Sequence, residues 1–135
     1  MCFYWSIFIL NTLKSDFNGV NSIGGADRNR LAALATATGT ALAWDPDIDS
    51  PSANIRALAL SEDGSSLYVG GSFTSVNTVP RDRLALLDTI TDVKAEILIT
   101  TWNPGANNTI NSLDLFTDTL YVGGNFSGAG SIAGA

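Results

Sequence analysis

The segment WDPDIDSP places three aspartates at alternate positions, a spacing that could bind a cation. Asp45, Asp47 and Asp49 correspond to ligand positions 1, 3 and 5 of a calcium loop, whose oxygens converge on one ion. Position 6 of such a loop is Ser50 rather than glycine, and position 12 is Arg56 rather than glutamate. The pattern therefore favours a solvated loop, with a weak calcium site as the alternative.

Two pairs of arginines, Arg28 with Arg30 and Arg81 with Arg83, recur 53 residues apart. Alternate spacing places both guanidinium groups of a pair on one side of an extended chain, where their fork-shaped donors could bind an anionic ligand. Carboxylates or carbonyls of a neighbouring structural unit are the alternative partners. Every repeat needs a contact to its neighbour, whereas a ligand site usually occurs once. The recurrence of the arginine pairs therefore favours a structural contact between repeats.

Two tryptophans, Trp44 and Trp102, each precede a proline by two positions. Exposed indole rings could stack on sugars, but a tryptophan that recurs in each copy is more typical of packing between units, with its N–H hydrogen-bonded. The glycine pairs of the chain have no G-x-x-x-x-G-K-[ST] pattern around them, so they do not predict a phosphate-binding loop.

The composition excludes several classes of active site and partner. The chain has no histidine, which excludes Ser-His-Asp and Cys-His centres and histidine-ligated metals. Its 13 acidic residues leave a glycosidase-type carboxylate pair open, but most of them fall in predicted turns, where aspartate supports the backbone. A net charge of −6 disfavours nucleic acid as a partner. We therefore predict a protein that is not an enzyme and needs no cofactor.

These candidate residues lie at fixed places in an internal repeat. LYVGGSF at 67–73 returns as LYVGGNF at 120–126, and RNRLAAL at 28–34 returns as RDRLALL at 81–87, both 53 residues later. The tryptophans are 58 residues apart because the stretch before the second one is five residues longer; the stretch after it is five residues shorter, which restores the separation of 53. Length changes collect in loops, so the matching segments mark strands and the unequal ones mark turns.

Turn residues divide the second copy into four predicted strands, at 84–88, 96–102, 110–115 and 120–123. SEDGSS and FTD predict hairpin turns at equivalent places of the two copies. Alternation predicts core positions at Leu58 and Leu60 in the first copy and at Leu113 and Leu115 in the second. The LYVGG strand is bulky on both faces, which favours a sheet packed between two other sheets.

Four strands in about 50 residues match a β-propeller blade, which buries its apolar faces only against the next blade. We therefore expect an all-β protein of propeller-like blades with about four antiparallel strands each, in which Phe73 and Phe126 fill the gap beside the glycine pairs. Two repeats are fewer than the roughly four to eight blades of a closed propeller, so we expect a truncated segment that self-associates when expressed alone. The predicted units are an apolar leader with the degenerate end of a preceding repeat at 1–27, a first repeat at 28–80 and a second repeat at 81–135.

The first ten residues, MCFYWSIFIL, are apolar but too few to span a bilayer, and they lack the basic start of a signal peptide. A strand, or an ill-fitting start of a truncated chain, is therefore favoured over an intact signal peptide for this segment. The single cysteine, Cys2, leaves the redox compartment open.

The segments LYVGGSFTSVNTVPRDRLALLD and LYVGGNFSGAG resemble the delta-60 repeat, a propeller-forming repeat of bacterial secreted and surface proteins. Similar units occur in the fungal cortical markers of bud-site selection. The resemblance covers 17–135, but NTLKSD precedes Phe17 where a LYVGG strand belongs, so that copy departs from the pattern. The resemblance implies a WD40- or kelch-like propeller and brings no shared catalytic motif.

From the resemblance we expect a non-enzymatic segment of a larger extracellular or cell-surface protein, acting as a binding or scaffold module for protein or carbohydrate. Its partners would include the remaining blades of the parent protein. Recognition would lie in loops at the rims, which vary while the blades stay constant. The alternative is part of an extracellular carbohydrate-active enzyme whose catalytic carboxylates lie in blades outside this chain.

Overall fold

The computed structural model describes residues 5–9, 22–48, 50 and 52–128, with side chains from residue 22 onward. This part of the chain is mostly β, with small antiparallel sheets and one helix of four residues. Its sheets have two or three strands, and none of them closes into a barrel or a propeller. None of the described helices is long and apolar enough to cross a membrane. In chain order the elements are β1 (Trp5–Ile9), β2 (Ser22–Ile23), β3 (Ala26–Asp27), β4 (Leu31–Ala35), β5 (Ile55–Leu60), β6 (Ser66–Gly71), β7 (Ser75–Val76), β8 (Val79–Pro80), β9 (Leu84–Asp88), α1 (Lys94–Ile97), β10 (Ile110–Phe116) and β11 (Thr119–Gly124).

Three small sheets follow one another along the chain. The first pairs β1 with β4, the second has the order β5-β6-β9, and the third pairs β10 with β11, all antiparallel. The hairpins β5-β6 and β10-β11 confirm the turns predicted at SEDGSS and FTD. Strand β9 comes from the second repeat but pairs with β6 of the first, so the middle sheet draws on both repeats.

The sheets pack face to face, and the middle one is covered on both sides. Leu67 and Val69 of β6 enter a larger core that also contains Leu31 of β4. On the other face of β6, the side chain of Ile110 lies over Gly70, and β10 packs against β5 and β6. The predicted sheet between two other sheets is therefore confirmed for LYVGG of the first copy.

Two separate clusters of apolar side chains result from this stacking. Phe73 is fully buried in the larger one, as predicted, while Phe126 packs partly buried against the smaller one. The larger core contains Leu31, Ala33, Trp44, Ile48, Ala53, Ile55, Leu67, Val69, Phe73, Val76, Ala85, Leu87, Ile97 and Leu98. The smaller core contains Leu84, Ala106 and Ile110, with Trp102, Leu113, Leu120, Val122 and Phe126 packed against it.

The predicted strand at 96–102 is wrong. Helix α1 occupies Lys94–Ile97, and the sheet keeps only an isolated bridge between Leu98 and Leu87. The segment lies in the stretch where the second copy is five residues longer, and Lys, Ala and Glu are good helix formers. Burial of Ile97 in the larger core holds the helix against the sheets.

The predicted core position Leu60 is also wrong, because 51% of this residue is exposed. Leu60 is the last residue of β5, an outer strand of its sheet, and the hairpin turn follows it directly. Leu58, Leu113 and Leu115 are half-buried, and Leu58 and Leu113 pack against the larger and the smaller core. Alternation assigned their faces correctly but not the depth of their burial.

Two short hairpins, β2-β3 and β7-β8, recur 53 residues apart and were not predicted. The turn residues are Gly24 and Gly25 in the first and Asn77 and Thr78 in the second, all with positive φ. Positive φ at both central residues is the geometry of a type I′ turn, which suits a two-residue hairpin.

Candidate functional site

The first arginine of each predicted pair binds main-chain carbonyls. Arg28 donates from Nη2 to the carbonyl of Leu42 (2.5 Å), and Arg81 donates from Nη2 to the carbonyl of Thr100 (2.8 Å). Each also donates from Nη1 to the carbonyl of the residue before it, at 2.7 and 2.8 Å. The two acceptors occupy equivalent places in the repeat, so the same hydrogen bonds occur twice.

The second arginine of each pair has a left-handed backbone, with φ of 65° at Arg30 and 66° at Arg83. Arg30 donates to the carbonyls of Ala53 (2.8 Å) and Ile48 (2.6 Å), and Arg83 donates to that of Ala106 (2.7 Å). Arg30 precedes β4 of the first sheet, whereas Ala53 precedes β5 of the second. Each of these arginines therefore links the last strand of one sheet to the segment that leads into the next.

The two predicted tryptophans have different environments. Trp44 is buried in the larger core, and its Nε1 donates to the carbonyl of Asp88 at the end of β9 (2.8 Å). Trp102 is half-buried beside the smaller core, where its ring meets Tyr68 of β6 edge to face, with 5.4 Å between ring centroids. Neither ring is arranged as an open platform for a sugar.

Two of the three predicted calcium ligands bind an ammonium group instead. Lys94 of α1 places Nζ 3.2 Å from Oδ2 of Asp45 and 2.8 Å from Oδ2 of Asp47. The hydrogen bond to Asp47 raises the pKa of Lys94, with further support from Asp45. Asp49 lies outside the described residues. Among those described, no three Asp, Glu, Cys or His side chains are grouped so that they could hold a metal ion.

The ion pairs join the two segments in which the copies differ in length. Asp45 and Asp47 lie in the longer loop after Trp44, and Lys94 lies in the longer segment of the second copy. Asn77 supports both sides: its N–H donates to the carbonyl of Asp47 (2.8 Å) and its Nδ2 to the carbonyl of Lys94 (3.3 Å). Lys94 and Asn77 were not predicted from the sequence. A signal was present, because the first copy is five residues longer after its tryptophan and the second copy is five residues longer before its tryptophan, which suggests that the two longer segments meet.

The β5-β6 turn contains a carboxylate with a shifted pKa. The Ser61 hydroxyl donates to Asp63 (2.7 Å), and the N–H and hydroxyl of Ser65 donate to it at 3.0 and 2.8 Å. These bonds, that of Ser61 first, favour the ionised form and lower the pKa of Asp63 to about 2. The group is local turn support and fully exposed.

The third sheet has one uncovered face in the described part of the chain. We call this the outer face, formed by Asp114 and Phe116 of β10 and Tyr121 of β11. Phe116 is 69% exposed and Tyr121 is 59% exposed, and Asp114 lies directly opposite Tyr121. Leu113 and Val122 point to the opposite face and pack on the smaller core. Aromatic surface beside a carboxylate can contact another sheet, a protein or a sugar.

The arginines and Trp44 thus contact other parts of the fold, whereas the outer face is exposed in the part of the chain that the structure describes. A scan of protein-family models and searches of curated proteins and of solved structures found no match to this chain.

Proposed function

We propose that this chain is a non-enzymatic repeat segment of a larger secreted or cell-surface protein of the β-propeller type, like the delta-60 repeat that it resembles. Its stacked sheets would form a rigid binding or scaffold module for protein or carbohydrate. The observation that carries the proposal is the middle sheet, which obtains a core on one face from β4 and on the other from β10. Repetition supplies cover that a single sheet lacks.

The outer face supports this role because it carries the same tyrosine as the face of the middle sheet that another segment covers. On the middle sheet, Tyr68 packs against Trp102 of the segment that follows. Its counterpart in the second copy, Tyr121, has the same sequence neighbours and is largely exposed. A further sheet or a partner protein could cover Tyr121 and Phe116 in the same way.

The internal use of polar side chains supports binding rather than catalysis. Arg28, Arg30, Arg81 and Arg83 donate to main-chain carbonyls, and the carboxylates in the loop after Trp44 hold Lys94. Groups with structural partners of this kind keep the loops in one conformation. Rigid loops on stacked sheets suit recognition by shape.

Light scattering on the whole chain tests the scaffold role. We expect the molar mass to rise with protein concentration, and the combined substitutions Phe116→Lys and Tyr121→Lys to keep the chain monomeric. Ile90→Lys is the matched control, since Ile90 is 70% exposed and lies after β9 rather than on β10 or β11. A wild-type chain that stays monomeric at high concentration would contradict the proposal.

A glycan array with the whole chain tests carbohydrate as the ligand and separates the two functions. Retention of a glycan that is recovered intact supports a carbohydrate-binding module, and Tyr121→Ala should then weaken retention while Ile90→Ala does not. Release of reducing sugar from the bound glycan would support the alternative, a part of a carbohydrate-active enzyme, and would overturn the non-enzymatic proposal.

A further inference from the structure

We infer that the edge of β11 that faces away from β10, which is unpaired within residues 22–48, 50 and 52–128, is a docking site for an extended strand with the sequence pattern of β9, which follows the motif Arg-x-Arg. The incoming strand would pair antiparallel with β11 and form a third strand beside it. This inference goes beyond the proposed function, because it concerns the hydrogen-bonding edge of the sheet rather than its outer face. Either one can fail without the other.

Strand β6 shows how such an edge is used. The N–H of Gly71 donates to the carbonyl of Arg83 (3.0 Å), and the carbonyl of Ser65 accepts from the N–H of Thr89 (3.1 Å). Because main-chain groups alternate in direction along a strand, the odd-numbered residues between these ends also turn their N–H and C=O groups toward β9. The pairing of β9 therefore covers this edge of β6 along its length.

Strand β4 has the same pattern and does the same for β1. Leu31 of β4 lies opposite Ile9 of β1, just as Leu84 of β9 lies opposite Gly70 of β6. In both cases the strand after Arg-x-Arg pairs antiparallel with a strand that precedes it in the chain, β1 for β4 and β6 for β9. The accepting strands β1 and β6 differ in sequence, whereas the incoming strands β4 and β9 both consist largely of alanine and leucine. The pairing therefore depends on main-chain hydrogen bonds and on the side chains of the incoming strand.

Strand β11 offers the edge that β6 offers. Residues 120, 122 and 124 correspond to 67, 69 and 71 and are identical to them in type. Within the described part of the chain, no strand pairs with this edge of β11. As a result Leu120 and Val122 are only half-buried and Gly124 is exposed, whereas their three counterparts in β6 are buried.

The side chains of β9 indicate what the incoming strand must carry. Ala85 and Leu87 lie opposite Val69 and Leu67 and are fully buried with them, because cross-strand neighbours share a face. An incoming strand with alanine and leucine at these places would cover the equivalent residues of β11, Val122 among them. The partner is therefore an extended segment with alternating small and large apolar residues, in the order found in β9.

Binding of a labelled peptide with the sequence PRDRLALLDT, residues 80–89, to the whole chain tests the inference by fluorescence anisotropy. We expect saturable binding. The same peptide with Ala85→Pro and Leu87→Pro should bind at least about tenfold more weakly, because proline removes two N–H groups that face the accepting strand. Absence of saturable binding, or equal binding of the proline peptide, would overturn the inference.

Substitutions in the chain locate the site. Val122→Pro removes an N–H on the free edge and should weaken peptide binding at least about tenfold, whereas Val122→Ala keeps the N–H and should stay within about threefold. Hydrogen exchange on the wild-type chain gives the same test without a substitution, since the amides of Leu120 and Val122 should exchange more slowly with peptide bound. Unchanged exchange at these amides would show that the peptide binds elsewhere and that the inference is wrong.

Discussion

Strands β6 and β11 lie in segments that are identical at six of seven positions, LYVGGSF and LYVGGNF, yet their surroundings differ. In β6, Leu67 is 1% exposed and Val69 is fully buried, because sheets cover both faces and β9 covers the edge. In β11, the corresponding leucine and valine are half-buried, and Tyr121 is largely exposed. Burial in this fold is therefore set by the neighbouring sheets rather than by the strand's own sequence.

The largest effect should come from the leucine that the two strands share. Leu67→Ala leaves a cavity in the larger core and should lower the free energy of unfolding by about 3 kcal/mol. Leu120→Ala removes the same atoms from a half-buried place and should cost about 1 kcal/mol. Urea denaturation measures both. Equal losses would mean that the β10-β11 sheet is as well covered in solution as the middle sheet.

The next largest difference in stability should be between substitutions of Arg30 and Arg83, the second arginines of the two repeats. Arg30→Met leaves the carbonyls of Ala53 and Ile48 without this donor in a buried place and should cost about 2 kcal/mol. Arg83→Met removes one such bond at a partly exposed place and should cost about 1 kcal/mol.

The exposed arginine of β5 provides a control for these two variants. Arg56→Met should change the free energy of unfolding by less than about 0.5 kcal/mol, because surface substitutions away from special contacts have small effects. A loss at Arg30 no larger than at Arg56 would show that the hydrogen bonds to the carbonyls contribute little.

The glycine pairs test the contact between sheets. A Cβ at Gly70 would lie 2.5 Å from Cγ2 of Ile110, so Gly70→Ala should cost about 1–2 kcal/mol through overpacking. A Cβ at Gly123 would clash with the hydroxyl of Ser112, which can rotate, and would touch Cβ of Ser112 at an ordinary 3.8 Å, so Gly123→Ala should cost about 0.5 kcal/mol or less. Ile110→Ala removes Cγ2, so Gly70→Ala should cost less in the Ile110→Ala background than in the wild type, and an equal cost in both backgrounds would contradict direct contact.

The smallest effect concerns acid stability of the two hairpin turns. The pKa of Asp63 is lowered to about 2 from 3.8, so its contribution is present above pH 3.8 and is lost as the pH falls toward 2. Asp63→Asn should therefore lower stability at neutral pH and flatten the pH dependence between 4 and 2. Asp118→Asn in the other turn is the matched control, since its carboxylate lies 3.4 Å from threonine hydroxyls. Thermal unfolding at several pH values measures both, and identical pH profiles of Asp63→Asn and the wild type would contradict the assignment.

Local signals in the sequence predict much of this fold. The 53-residue period, the two hairpin turns and the strands at 84–88 and 110–115 all follow from alternation and turn residues, and the structure contains them. The apolar residues of 96–102 suit a strand, but helix α1, Lys94–Ile97, overlaps the start of this segment and brings Ile97 to the core. Leu60 is exposed because it is the last residue of β5, where no other sheet covers it in the described part of the chain. The alternation of apolar residues predicts which face a side chain lies on but not where the covering sheet ends.

The site could be predicted only in part, because its contacts join distant residues. The repeated arginines and tryptophans stand out in the sequence, but their acceptors are main-chain carbonyls, which carry no sequence signal. The ion pairs of Lys94 connect residues 47 and 49 positions apart, on a helix that was expected to be a strand. For the aspartates of WDPDIDSP the sequence predicts a solvated loop or a weak calcium site, because nothing in the sequence places Lys94 beside them.

The meeting of Lys94 with Asp45 and Asp47 also makes the two copies non-interchangeable. The aspartate loop belongs only to the first copy, and the lysine helix only to the second. A chain that exchanged their order, or that docked onto the wrong copy of itself during folding, would leave these charges unmatched at the junction. Similar repeats are prone to such swapped pairings during folding. Because the acidic loop and the lysine helix occur in different copies, the ion pairs form only when the two copies are in their native order.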